Sequence, residues 1–397
     1  MNSGNKIAVV GSGISGLSAA WHLSHKNDVH IFEKNDYFGG HSNTQTVFDE
    51  NFSQLFIDTG FIVYNEKNYP NLSNFFKCLN VQTYASDMSF SVSKDNGEFE
   101  YSGSSLSTIF AQKKNMFDLK FLKMIYEIIL FYNNVQRDVE EYSDFTISEY
   151  LTQKKYSEYF KFNHIYPMAG SIWSSPLNEV SRYPLKQFVD FFSNHGLFKL
   201  INRPKWRTVL GGSKSYVKRV LNSKRVHSFL NSEVFVIDRN YNQKILIEVN
   251  GEKKVFDNIV ISSHADEVKK ILKDITPEEE NIFNKIKFKK NTVYLHQDES
   301  LMPKIKQIWS SWNFNGWTQS KENISVTYWM NKLQNLSTKE NFFVSLNPVR
   351  KPQKDLIKKV IYYSHPLFDK ETFKAQNEIK KLQGKKKTWF WGAYLGY

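Results

Sequence analysis

The densest cluster of chemically specific residues lies within the first fifty positions. The run Gly11, Ser12, Gly13, Ile14, Ser15, Gly16 has G-x-G-x-x-G spacing. Each glycine has a separate task in a strand-to-helix turn that holds a dinucleotide. The first makes the turn, the second lets a pyrophosphate approach the backbone, and the third lets the helix pack against the strand. The helix N terminus then offers free N–H groups and a positive dipole end to the phosphates. Glu33, followed by Lys34, ends the next apolar run, where a carboxylate can accept from both ribose hydroxyls of an adenosine. A glycine triplet alone is weak evidence. Strand, glycines, small-residue helix, second strand and terminal Glu, all in register, predict dinucleotide binding; the Glu admits either NAD or FAD.

Other residues have the right types but weaker spacing. His296 and Asp298 in "LHQD" could act as acid and base, although structural hydrogen bonding is the commoner role for such a strand-end pair. Trp312, Trp317, Tyr328 and Trp329 could wall a substrate, but aromatic residues in strands more often build core. His22, His25 and His30 fall on a helix and the following strand and close no metal site. Cys78, the single cysteine, can form no internal disulfide and lacks a His/Asn constellation.

The elements that must position these residues follow from periodicity and composition. Residues 6–33 read as strand, Gly turn, helix and strand. Residues 70–200 are mainly helical, as in "FDLKFLKMIYEIILFYNNVQRDVEEY" (117–142), with "PMAGSIWSSP" (167–176) as a loop between helices. "WRTVLGGSKSYVKRVL" (206–221) reads as a loop and then a helix. Residues 232–268 alternate like a β-meander with turns at "RNYN" and "NGEK", and the last strand is apolar enough to rejoin a parallel sheet. The 397 residues are 41% hydrophobic and 16% aromatic, enough for sizeable cores. The greasiest stretch, "FLKMIYEIILFY" (121–132), is far short of the roughly 20 apolar residues of a bilayer span. No leader or nucleic-acid-binding module is recognised, and the chain reads as cytoplasmic. A net charge of +13 suits an anionic membrane surface, with "KKLQGKKK" (380–387) the best basic patch.

"YFGGHSNT" places Gly39, Gly40, His41 and Thr44 just past Glu33. This resembles the G-G-[RH]-x-x-[ST] continuation of flavoproteins in the amine oxidase, phytoene desaturase and protoporphyrinogen oxidase superfamily. Asp58-Thr59-Gly60 is similar to the D-x-G turn that the superfamily packs against the isoalloxazine. The resemblance implies FAD rather than NAD, with Thr59, Gly60 and the backbone of Val234 at the cofactor. A narrower resemblance covers residues 6–397. "TVYLHQDESLMP", "IWSSWNF", "VTYWMNKLQNL", "VSLNP", "HPLFD" and the final "TWFWGAYLGY" look like a bacterial family of FAD-dependent oxidoreductases often found with fatty-acid-modifying genes. It implies that Gly392 and Ala393 sit at the flavin; the wider resemblance to amine oxidases implies a Lys near N5, roughly where Lys290 falls, although the neighbours Lys287 and Lys289 favour a solvated face for Lys290. Family members run on past this point, and Trp391 stands where they show cysteine, so the chain is expected to be truncated at Tyr397.

The fold expected from these readings is α/β: a Rossmann-like FAD-binding domain, with parallel sheet and β-meander, and an inserted α+β substrate domain. The FAD-binding segments are residues 1–68 and 205–290, the substrate segments 69–204 and 291–364, and residues 365–397 begin a closing segment. The function implied is FAD-dependent hydride removal from a largely apolar substrate such as a fatty acyl chain. The alternatives are a flavin amine oxidase and a non-catalytic flavin-binding, lipid-associated protein. The oligomeric state is not legible.

Overall fold

Strands β1 (Lys6–Val10) and β2 (Asp28–Phe32) flank helix α1 (Ile14–Ser24) in the structure, a computed structural model that describes residues 4–199, 203–318 and 324–396. Tyr397, on which the expected truncation rested, lies outside the described residues. The apolar run of β1 is covered on both faces, with Ala8 and Val10 in one core and Ile7 and Val9 in another. β1 pairs in parallel with β2 on one side and with Asn258–Ile261 on the other. Val226–Phe229 and Thr388–Phe390 complete a five-stranded parallel sheet. The meander Val234–Tyr241, Lys244–Val249 and Glu252–Phe256 contributes to the core that also holds Ala8, Val10 and Phe32. Its first turn falls on Asn242 and Gln243, both at positive φ, slightly later than "RNYN".

The second large element is a seven-stranded sheet. Its order is Ile357–Pro366, Phe288–His296, Phe343–Leu346, Ser325–Trp329, Trp312–Gly316, Phe90–Lys94, Phe99–Ser102. The last two strands come from the stretch expected to be mainly helical. Their partner lies far away in sequence: Ser91 donates to Asn313 across 222 residues, so no local pattern announces the pairing. Helices pack with this sheet in one large core. The longest, Leu119–Asp138, contributes Phe121, Met124, Ile128, Phe131 and Val135 at three- and four-residue spacing.

Two local readings are corrected. "PMAGSIWSSP" is not a loop: Tyr166–Trp173 is helical and continues the π-helical turn Lys161–Ile165, a widened turn that accommodates Pro167, which has no N–H to give. A Cβ on Gly170 would lie 2.4 Å from Ile324 Cδ1, so that glycine serves close packing. "WRTV" is a strand, Trp206–Val209, pairing with Tyr64–Asn65 and Thr83–Ser86. Among the described residues no helix is long and apolar enough to cross a membrane.

Candidate functional site

The carboxyl ends of the parallel strands meet at the glycine turn. Gly11 has φ 97°, and a Cβ there would lie 2.9 Å from the Ser262 carbonyl oxygen, just past the neighbouring strand. A Cβ on Gly16 would lie 2.0 Å from the Gly11 carbonyl oxygen, so the turn and α1 approach as closely as backbone allows. A Cβ on Gly13 would meet nothing within 4 Å. Gly13 is also the N-cap of α1, whose first turn has no side-chain cap and no acidic residue. Free N–H groups and the dipole's positive end therefore face open space.

Glu33 ties the turn together. It is buried; Ser12 donates its N–H and hydroxyl to Oε2 at 3.0 and 2.6 Å, and Asn35 donates its N–H and Nδ2 to Oε1 at 3.0 and 2.7 Å. These four bonds fill the carboxylate's acceptor sites, so a ribose hydroxyl reaches Glu33 by exchanging with the Ser12 hydroxyl or the Asn35 amide. Gly39 N–H donates to Ser12 Oγ at 3.1 Å, bringing the second glycine pair to the first. Gly40, at φ 59°, faces Gly13: its Cβ would lie 3.2 Å from Gly13 Cα. Ser232 N–H donates to the Glu33 carbonyl at 2.7 Å, which carries the backbone leading to Val234 alongside Glu33. Lys34 pairs instead with Glu267.

Three histidines from distant segments close on the same corner. His41 stacks on Tyr363 at 4.5 Å between ring centroids, and His365 lies 5.0 Å from His41. His264 follows Ser262 and Ser263 at the end of the parallel strand and stacks on Phe288. Burial, aided by the neighbouring imidazoles His365 and His264, lowers His41 to about 3, and burial lowers His365 to about 4. Both rings are neutral near pH 7. His41 Nε2, Ser262 Oγ and Ser263 Oγ are buried without a hydrogen-bond partner in the structure. Buried atoms of this kind call for polar partners, which a ligand can supply. Sequence reading missed Ser262, Ser263, His264, Tyr363 and His365. The signal that could have found the first three is "SSH" directly after a strand expected to rejoin the parallel sheet.

Thr44 and the D-x-G turn form a latch. Asp58 is fully buried and accepts from the Thr44 hydroxyl (2.6 Å), the Ser213 hydroxyl (2.7 Å) and N–H (2.9 Å), and Gln334 Nε2 (3.0 Å). Burial raises its pKa against these bonds. Thr59 donates to the Asn43 carbonyl and meets Tyr363 OH at 2.9 Å, while Gly60 backs onto the His41 carbonyl. Asp58→Ala is expected to cost about 3 kcal/mol in urea unfolding by leaving these donors buried and unpaired; an unchanged midpoint would refute the latch.

The remaining candidates lie elsewhere or are already engaged. Trp391 N–H donates to Ile261 O at 2.9 Å, so Gly392 and Ala393 follow the sheet at its carboxyl edge. Lys290 is exposed and sits opposite Ser364. Both nitrogens of His296 are occupied: Nε2 by Ser345 Oγ at 2.7 Å, and Nδ1 by the Asp298 N–H at 3.0 Å. The Asp298 carboxylate accepts from the Ser300 and Gln353 N–H groups, so both side chains are engaged within the fold. Trp312 and Tyr328 meet edge to face at 4.8 Å in the large core, and Trp317 is half-exposed. Asp28, His30 and His227 do cluster, because parallel pairing sets His227 beside His30, and Asp28 bonds both imidazoles. Cavities of about 320 and about 540 Å³ share no residue with the glycine turn.

Comparison with known proteins agrees with this geometry. Residues 9–79 match the NAD(P)-binding Rossmann-like domain family. No curated protein matches the sequence. Among solved structures, a putative protoporphyrinogen oxidase from Exiguobacterium sp. 255-15 is similar with TM-score 0.69 and 13% identity, over 99% of this chain and 95% of that one. A CLA-producing fatty acid isomerase from P. acnes has TM-score 0.65 and 11% identity, over 97% and 93%. A double mutant of putrescine oxidase has TM-score 0.55 and 14% identity, over 97% and 81%. The chain therefore shares the fold of these solved structures and is built on a segment that matches an NAD(P)-binding Rossmann-like domain.

Proposed function

We propose that the chain is an FAD-dependent oxidoreductase that removes a hydride from a largely apolar substrate, a fatty acyl chain or similar lipid. The observation that carries the cofactor assignment is the cradle. Gly13 and Gly40 leave backbone bare around the uncapped N terminus of α1, and His41 Nε2, Ser262 Oγ and Ser263 Oγ stand orphaned beside it. The residues fit FAD: α1 and Gly13 would hold its pyrophosphate, Glu33 and the backbone near Val234 its adenosine, and Gly392 and Ala393 would lie at the same carboxyl edge of the sheet. When bound, FAD supplies the hydride acceptor. A pyrophosphate near His41 and His365 would raise their proton affinity, so either ring could become a charged donor to it.

The substrate class rests on different support. The fold is shared with the fatty acid isomerase over nearly the whole length of both chains. Trp312 and Tyr328, the best aromatic pair, meet at 89° inside a hydrophobic core and do not face each other across a gap, as an amine cage would require. The test is an absorbance spectrum after incubation with FAD and gel filtration, then anaerobic addition of acyl and amine donors. Flavin bands bleached by an acyl donor are expected. Bleaching by amines alone would favour the amine oxidase reading, tight flavin inert to every donor a non-catalytic one, and no retained flavin would refute the assignment.

A further inference from the structure

We propose that the outward face of the helix Leu119–Asp138, with the turn leading into it, docks on an anionic lipid bilayer. The helix is apolar on both sides. Its inner stripe is buried in the large core, while Leu119, Leu122, Tyr126, Ile129 and Leu130 face outward. In its first three turns exposed apolar side chains alternate with Lys120 and Lys123 on the outward face, an arrangement that suits an amphipathic interface. Exposure reaches 80% at Leu119 and 64% at Tyr126, and the preceding segment adds Phe117 at 85% and Leu106 at 76%. Nearly half of the large exposed hydrophobic side chains of the described residues fall between 106 and 130. A patch of this kind marks an interaction surface.

Charge selects the occupant. Lys113, Lys114, Lys120 and Lys123 are exposed among these side chains. The acids of the stretch are Asp118 and Glu127; Glu127 is buried, accepts from Ser157 and lies 3.9 Å from Lys123 Nζ, and Lys114 donates to the Glu98 carbonyl, contacts at the edge of the patch that leave both ammonium groups on the exposed face. Aromatic and aliphatic tips ringed by lysines suit a bilayer interface: the tips enter the acyl boundary and the ammonium groups stay among anionic headgroups. A second copy fits worse, because this face carries four exposed lysines and one acid outside the core, Asp118, so a self-contact would gather excess positive charge. The basic stretch 380–387 is engaged within the fold: Lys385 with Glu278, Lys386 with Asp274, and Lys387 with the Gln243 carbonyl. The surface does not depend on the cofactor assignment.

The test is sedimentation of the full chain with phosphatidylcholine vesicles and with vesicles also containing phosphatidylglycerol, flavin content being recorded separately. Binding to the anionic vesicles that weakens with added salt is expected. Phe117→Ser with Leu119→Ser should lower it by about a hundredfold, the loss expected when two large side chains no longer leave water. Both positions are exposed, and an unchanged melting temperature would show that the variant folds. Lys385→Ser with Lys387→Ser should bind like wild type. No binding to anionic vesicles, equal binding by the Phe117/Leu119 variant, or a wild-type dimer that this variant dissociates would overturn the proposal. Intact vesicle binding without flavin would count against the oxidoreductase reading alone.

Discussion

Gly13→Val is expected to keep the wild-type melting temperature and lose FAD binding by at least about a thousandfold, because the added side chain fills the pyrophosphate's approach to the backbone. The backbone at Gly13 is extended (φ −61°, ψ 173°), open to any residue, and a Cβ there would meet no atom within 4 Å. Gly16→Val should behave oppositely. Its Cβ would collide with the Gly11 carbonyl oxygen, which is backbone and cannot step aside, at a cost of about 3 kcal/mol or more in folding stability. Thermal unfolding and FAD titration of the two variants separate room for a ligand from room for the fold. FAD binding retained by Gly13→Val would refute the placement of the pyrophosphate.

Acid should unfold the chain well above the range set by its carboxylates alone. Burial lowers His41 and His164 to about 3, and His296 and His365 to about 4, from 6.5. The folded-state values are depressed, so the unfolded chain takes up protons that the folded chain refuses. The stability is therefore fully present above pH 6.5 and is lost as the pH falls toward 4. Each ring contributes roughly 3 kcal/mol over that window, several times the effect of an ordinary surface group. Asp58 acts in the opposite sense: its raised pKa lets the folded state hold a proton better, offsetting part of the loss. Urea unfolding from pH 7.5 to 4 should give a plateau and then a steep fall below about pH 6. Flat stability down to pH 4 would show that these rings are not buried neutral.

The N-terminal βαβ unit was legible because its determinants are local: an apolar strand, three glycines with separate steric tasks, and a Glu at the next strand end. The local spacing that singled out Thr44 said nothing of Asp58, which takes the Thr44 hydroxyl together with Ser213 and Gln334 from far along the chain. The hairpin 90–102 was missed because its pairing strand is remote, and the helix 166–173 because Pro, Gly and Ser mimic a loop when packing against Ile324 is out of sight. His41 stood out in the sequence by its motif, whereas its neighbours His264 and His365 needed the fold to bring three segments to one corner.

The central strand of the parallel sheet has a consequence for how the chain is made. β1 leaves the ribosome long before its partner: Asp257, which accepts the Lys6 N–H beside the partner strand, lies 251 residues later. At about 5–20 residues per second, β1 waits roughly 12 to 50 s for that neighbour. During that interval one edge of a Val- and Ile-rich strand stands open to other chains. Nascent chains stalled before residue 258 should therefore recruit holding chaperones, and those carrying the strand Asn258–Ile261 free of the exit tunnel should release them.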